Sequence, residues 1–131
     1  MSVSFIQPPE LFQSTPSGMS QVATARGRLV IVSGQVALDA NGKIVGEGDF
    51  EAQAVRVFEN LKAALAAAGA GLGDVARLGA FLADRKYLAS YRDVRMRYLS
   101  EPYPASTGVI AELIMPELLI EVEALAVLPD D

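Results

Sequence analysis

The chain runs to 131 residues, with 51% hydrophobic and 21% charged side chains. The length suits one domain and the composition excludes intrinsic disorder. It holds no His, Cys or Trp, which excludes disulfides, a thiol nucleophile, a Cys/His zinc site and a Ser–His–Asp triad within the chain. Eleven basic against sixteen acidic residues leave a formal charge of −5, unfavourable for contact with a phosphate backbone.

Residues 1–27 contain Pro8, Pro9, Pro16, Gly18 and Gly27 and read as loop, with a short strand near Ser20–Thr24. The N-terminus has no basic stretch followed by an apolar one, and no apolar run approaches the ~18 residues of a membrane span. A cytoplasmic protein with no membrane contact is expected. The β-branched run Leu29–Val32 predicts a strand buried on both faces. Gly34, inside the same segment, marks a bulge or a close approach by another chain or ligand. Asn41-Gly42 is a hairpin signal, because both residues tolerate positive φ, and Lys43–Val45 would be a short return strand.

Asp49 predicts an N-cap. Phe50, Ala54, Val57, Phe58, Leu61, Leu65 and Ala68 then fall on one stripe of a 3.6-residue repeat, and Gly69 sits where a helix-ending glycine belongs. Val75–Ala83 is a predicted strand. A second helix is predicted over Tyr87–Leu99, with Tyr87, Tyr91, Val94 and Tyr98 on one face and Pro102 and Pro104 closing it. Ala105–Leu113 and Leu118–Leu128 are predicted strands. In the last, Ile120, Val122, Ala124 and Ala126 share one face while Glu121, Glu123, Leu125 and Val127 share the other. The order β-β-α-β-α-β-β predicts one α+β domain over 1–131, a mixed sheet with both helices on one face. The opposite face is too apolar to be left to water, so a partner subunit is its expected cover.

Glu121 and Glu123 carry the most chemistry. Two residues apart on a strand, they point the same way at a spacing of roughly 7 Å. They could be an exposed pair on a solvated face. The strand around them is apolar, however, and a carboxylate there is costly unless it is paired or used. Either could be held by an arginine across an interface or activate a water molecule as a general base. Ser106 and Thr107, ahead of Gly108 at the start of a strand, could hold a carboxylate or carbonyl oxygen, or simply cap a turn. The 84–97 segment carries +3 and the rest of the chain −8. Its arginines make a solvated helix face, or one or two of them face a small anionic ligand. The glycines form neither a dinucleotide fingerprint nor a Walker loop, and no Asp/Glu spacing resembles a calcium loop. No cofactor and no metal are expected.

SGQVALD (33–39), EAQAVRVFENLKAALAAAGA (51–70), YPAST (103–107) and LLIEVEALAV (118–127) together resemble the RidA/YjgF family, over about residues 17–128. Four separated blocks in the right order make the resemblance specific. It implies a chorismate-mutase-like fold and a homotrimer whose sheets form a central β-barrel, with ligand clefts between neighbouring subunits. It also implies hydrolysis of reactive enamines or imines, such as 2-aminoacrylate, to 2-keto acids and ammonia. In such members an arginine after Pro-Ala clamps the substrate carboxylate and a glutamate on the last strand positions the attacking water. A tyrosine near the N-terminus and a Ser-Gly pair help line the cleft.

Carried over residue by residue, the glutamate is Glu121 and the Ser-Gly pair is Ser33 and Gly34. The arginine position holds Ser106, the tyrosine position Met19, and a second-helix asparagine of some members is matched by Arg92. The resemblance thus retains the residue that positions water and lacks the carboxylate clamp. Losing such a clamp costs on the order of 2–5 kcal/mol, so inefficient deamination of 2-aminoacrylate is expected. Three readings follow. The first is an imine or enamine hydrolase with altered substrate choice, in which Ser106, Thr107 and the Gly108 backbone hold a less charged acceptor, or Arg92 supplies the cation instead. The second is a non-catalytic, metabolite-binding or regulatory trimer. The third, ribonuclease activity, is opposed by the negative charge, the lack of histidine and the lack of an aromatic–basic platform; no nucleic-acid partner is expected.

Overall fold

The computed structural model describes residues 2–130. In chain order the elements are β1 (Val3–Ile6), β2 (Val22–Ala25), β3 (Arg28–Gln35), α1 (Phe50–Ala67), β4 (Val75–Leu82), α2 (Leu88–Tyr98), β5 (Ala105–Ile110) and β6 (Ile120–Leu128). Four strands form one sheet in the order β3-β6-β4-β5. β6 runs antiparallel to both its neighbours, and β4 and β5 run parallel. The sheet is therefore mixed, as the alternation of strands and helices predicts. β1 and β2 make a separate antiparallel ribbon.

Helix α1 forms where the apolar stripe and its caps agree. The Asp49 side chain accepts a hydrogen bond from the Ala52 N–H (3.1 Å), and Phe50, Ala54, Val57, Phe58, Leu61 and Leu65 are buried. At the far end Gly69 takes φ +80°, and the Ala70 N–H returns to the Leu65 carbonyl (2.9 Å), closing the helix with a left-handed residue. α1 and α2 lie on the same face of the sheet. Between them and the sheet, Phe58, Leu61, Tyr91 and Val94 pack with Val30, Val32, Leu78, Ala80, Val122 and Ala124 in one core. The ring of Phe58 stacks on Tyr98, with centroids 5.2 Å apart.

The other face of the sheet is covered only at one end, where the β1–β2 ribbon packs Val3, Phe5 and Ala23 on Ala76, Leu125 and Val127. Elsewhere it is open, with Leu29 52% and Ile31 74% exposed. The expectation that β3 is buried on both faces is thus corrected. Val30 and Val32 enter the core, and Leu29 and Ile31 point away from it.

Several boundaries also differ. β1 lies in a region that reads as loop, because the prolines at 8 and 9 mask a short apolar strand. The bend at 39–42 holds, but Asn41 keeps a negative φ and only Gly42 turns left-handed. The return strand shrinks to a single bridge, Leu38 with Ile44. β5 stops at Ile110 rather than Leu113, and β6 starts at Ile120 rather than Leu118. Both pair with Leu82, the last residue of β4. Beyond it Asp84 caps the turn toward α2, accepting from the Lys86 N–H, so neither strand flanking β4 can extend further along it.

One buried polar side chain sets where β6 begins. Gln53, fully buried on α1, donates to the carbonyls of Gly46 (3.2 Å) and Glu117 (3.0 Å) and accepts from the Leu119 N–H (2.9 Å). It ties the helix start to the connection entering β6. Replacing Gln53 with Leu leaves the Glu117 carbonyl and the Leu119 N–H without the side-chain partner, each costing ~1–3 kcal/mol, while the Gly46 carbonyl keeps the Asp49 N–H (2.9 Å). Urea unfolding is expected to show Gln53→Leu destabilised by about 3 kcal/mol, although the change adds apolar surface to the core.

Candidate active site

Strand alternation separates the candidate residues. Along β5, Ser106 pairs with Leu78 and Gly108 with Ala80, so both lie in rows that face the helices. Thr107 pairs with Gly79, which in turn pairs with Glu123. Thr107, Glu121 and Glu123 therefore lie on the opposite face.

On the helix side, the edge strand β5 and α2 enclose a cavity of about 340 Å³. Its wall includes Met19, Arg92, Ser106 and Gly108, four of the residues singled out from the sequence, together with Arg85, Tyr91 and Arg95. Apolar side chains, among them Leu82, Leu88 and Ile110, complete it. Among the described residues three arginines line this space and no carboxylate does, in a chain whose overall charge is −5. Arg92 is exposed, whereas Arg95 is only 4% exposed and Tyr91 2%. Arg95 donates to the Ser17 carbonyl, and its guanidinium lies 5.0 Å from the centre of the Tyr91 ring. Burial pushes the Tyr91 hydroxyl above its ordinary value, the charge of Arg95 acting in the other direction, so the phenol keeps its proton as a hydrogen-bond donor.

On the opposite face, Glu123 is taken up by Arg77 in a half-exposed ion pair (3.4 Å), worth about 0–1 kcal/mol. Glu121, partly buried, has no hydrogen bond or ion pair among the described residues. Its carboxylate lies close against Gly34, where a Cβ would sit 1.9 Å from Oε2. The bulge expected at Gly34 is present, and the group that approaches the glycine is Glu121 of the same chain, not another chain or a ligand. Gly34 and the exposed Ser33 lie where the β3–β6 register shifts, between Val32 and Gln35. That irregularity opens the space for the carboxylate.

Residues 13–128 match the family model described as Endoribonuclease L-PSP. A RutC family protein of Pyrococcus abyssi is 35% identical over 111 residues, 85% of this chain and 87% of that protein. A protein of Acinetobacter baylyi named 3-aminoacrylate deaminase RutC is 35% identical over 119 residues, 91% of this chain and 90% of that one. The crystal structure of the Rid family protein YyfB from Yersinia pestis superposes with a TM-score of 0.88 at 38% identity, covering 98% of this chain and all of that one (100%). The chain belongs to the RidA/YjgF family. Relatives in this family carry names of imine- and enamine-type deaminases.

Within this RidA/YjgF fold the candidate residues form two groups. Met19, Arg92, Ser106 and Gly108 share the cavity. Ser33, Gly34 and Glu121 meet at the β3–β6 bulge, with Thr107 on their side of the sheet. Tyr91 and Arg95 are cavity residues that the sequence reading passed over. Tyr91 reads as part of the apolar stripe of α2, and Arg95 as one of the arginines of the 84–97 segment, which make a solvated face or include one or two that face a small anionic ligand. The usable signal was their spacing, since i and i+4 put the arginine on the buried side of the helix.

The contact of Gly34 with Glu121 is directly testable. A methyl group at 34 meets only the end of a flexible side chain, so Gly34→Ala is expected to fold with its melting temperature nearly unchanged. Its crystal structure should show the Glu121 carboxylate displaced from the β3–β6 bulge.

Proposed function

We propose that the protein is a homotrimeric imine or enamine deaminase. Its three sheets would form a central β-barrel, and its ligand clefts would lie between subunits, where the cavity of one subunit meets Glu121 of the next. The observation that carries this reading is the seating of Glu121. It is a carboxylate without a partner among the described residues, held against Gly34 on the face opposite the cation-lined cavity. That face also exposes Leu29 and Ile31, apolar surface of the kind a subunit contact covers.

In this mechanism a water molecule held by Glu121 attacks the imine carbon, and the carboxylate takes the proton released by the water. Attack on the protonated imine leaves a carbinolamine; Glu121 returns the proton to its nitrogen, the C–N bond breaks as ammonia leaves, and the hydroxyl gives its remaining proton to the carboxylate as the carbonyl forms. An enamine first takes a proton on carbon to become the imine. Ser106, in place of a bidentate arginine, supports a substrate choice different from that of relatives clamping a carboxylate from this strand position.

A general base contributes typically 10²–10⁴-fold. Glu121→Gln is expected to lower kcat/KM for imine hydrolysis by about 10²-fold or more without loss of the folded assembly. Light scattering should give three times the chain mass. Mixing Glu121→Gln subunits with subunits whose cavity is filled by Gly108→Phe should restore part of the activity, because some clefts then combine an intact cavity with an intact glutamate. A monomer in solution, or unchanged turnover in Glu121→Gln, overturns the reading. A ligand that raises the melting temperature while a panel of imines yields no ammonia assigns the clefts to binding alone.

A further inference from the structure

Arg95 is the least ordinary charged residue in the molecule. It is 96% buried by its 4% exposure, and no carboxylate lies within ion-pair distance of it among the described residues. A guanidinium has five N–H groups; one donates to the Ser17 carbonyl, while Nε is buried without a partner. The Tyr91 hydroxyl, on the turn before it, is likewise buried and donates its own hydrogen to no group among the described residues. Both side chains line the cavity. Buried polar groups are nearly always satisfied, and a buried unpaired charge is the costlier exception. Packing explains part of the arrangement, since Arg95 anchors the bend at Ser17 and lies over the Tyr91 ring. It leaves the two free donors unexplained.

We infer that Arg95 and Tyr91 form the anion-recognition site of this cavity, and that its ligand is a small monocarboxylate with an apolar body. The cation that the β5 position of Ser106 lacks is supplied instead from α2, by Arg95 rather than by the exposed Arg92. The carboxylate accepts from the guanidinium and from the Tyr91 hydroxyl. Arg85 and Arg92, both of high exposure, add positive potential around the cavity. Leu82, Leu88 and Ile110 bound the space for an aliphatic group, within a volume suited to a small metabolite. This deepens the deaminase reading by naming the substrate class, but it concerns binding and does not need Glu121.

The test uses the intact protein, titrated calorimetrically with 2-oxobutanoate and with its uncharged methyl ester. The wild type is expected to bind the acid at least about tenfold more tightly, the order of one charge-assisted hydrogen bond. Arg95→Gln should abolish that preference while leaving ester affinity within about threefold, and Tyr91→Phe should narrow it several-fold. Arg92→Gln should retain most of it. A wild type without preference for the acid overturns the inference, as does a preference that survives both Arg95→Gln and Tyr91→Phe. Should Arg95→Gln fail to fold, a preference intact in Tyr91→Phe and lost in Arg92→Gln overturns it equally. The two readings fail separately: acid preference kept in Glu121→Gln supports the anion site whatever happens to turnover. A wild type that prefers the acid but releases no ammonia removes only the hydrolase.

Discussion

The organisation of this molecule depends on the two-residue alternation of β6. That strand is paired on both sides, by β3 and by β4, so it cannot rotate or slip without breaking two ladders. Ile120, Val122, Ala124 and Ala126 are held in the core, and Glu121 and Glu123 must then face the other way. The same alternation on β5 sends Ser106 and Gly108 toward the helices. The carboxylate and the cation-lined cavity are separated by the thickness of the sheet for this reason, and the proposed chemistry requires a second copy to bring them together.

The two glutamates, identical in type and face, have different surroundings. Glu123 is neutralised by Arg77 on the neighbouring strand. Glu121 is pressed against a glycine at a bulge and keeps its charge free of protein partners among the described residues. A strand bulge beside a glycine is a common means of re-aiming a side chain. Here it makes room for a carboxylate that a regular strand with any larger residue at position 34 would push aside. On the helix side, the free donors of Arg95 and Tyr91 have the opposite electrostatic character. Among the described residues the molecule thus carries an unpartnered carboxylate on one face of its sheet and a buried cation behind the other.

Much of the architecture was legible in the residues. The stripe from Phe50 to Leu65, its Asp49 cap and its Gly69 stop all correspond to the observed helix, and the two-faced pattern of residues 120–127 is the observed one. Legibility failed where a local signal depended on a distant partner. β1 is short and flanked by prolines, and it is a strand only because β2 returns alongside it. Leu29 and Ile31 look like core residues in a β-branched run, yet one face of their sheet is open in the single chain. The spacing of Arg95 from Tyr91 places it toward the buried side of α2, unlike Arg92, but its near-complete enclosure depends on the bend at Ser17 folding over it.

The sequence by itself determined both helices to within a residue or two, the strands of the main sheet, the faces of β6 and the family. All of these rest on periodicity and on motifs contained in contiguous segments. Only the tertiary structure decided which glutamate is free, which arginine is buried and which side of the sheet each candidate residue occupies. Those outcomes depend on strand order, on a register shift between β3 and β6, and on contacts between segments as far apart as Ser17 and Arg95. Spacing along the chain does not encode such contacts.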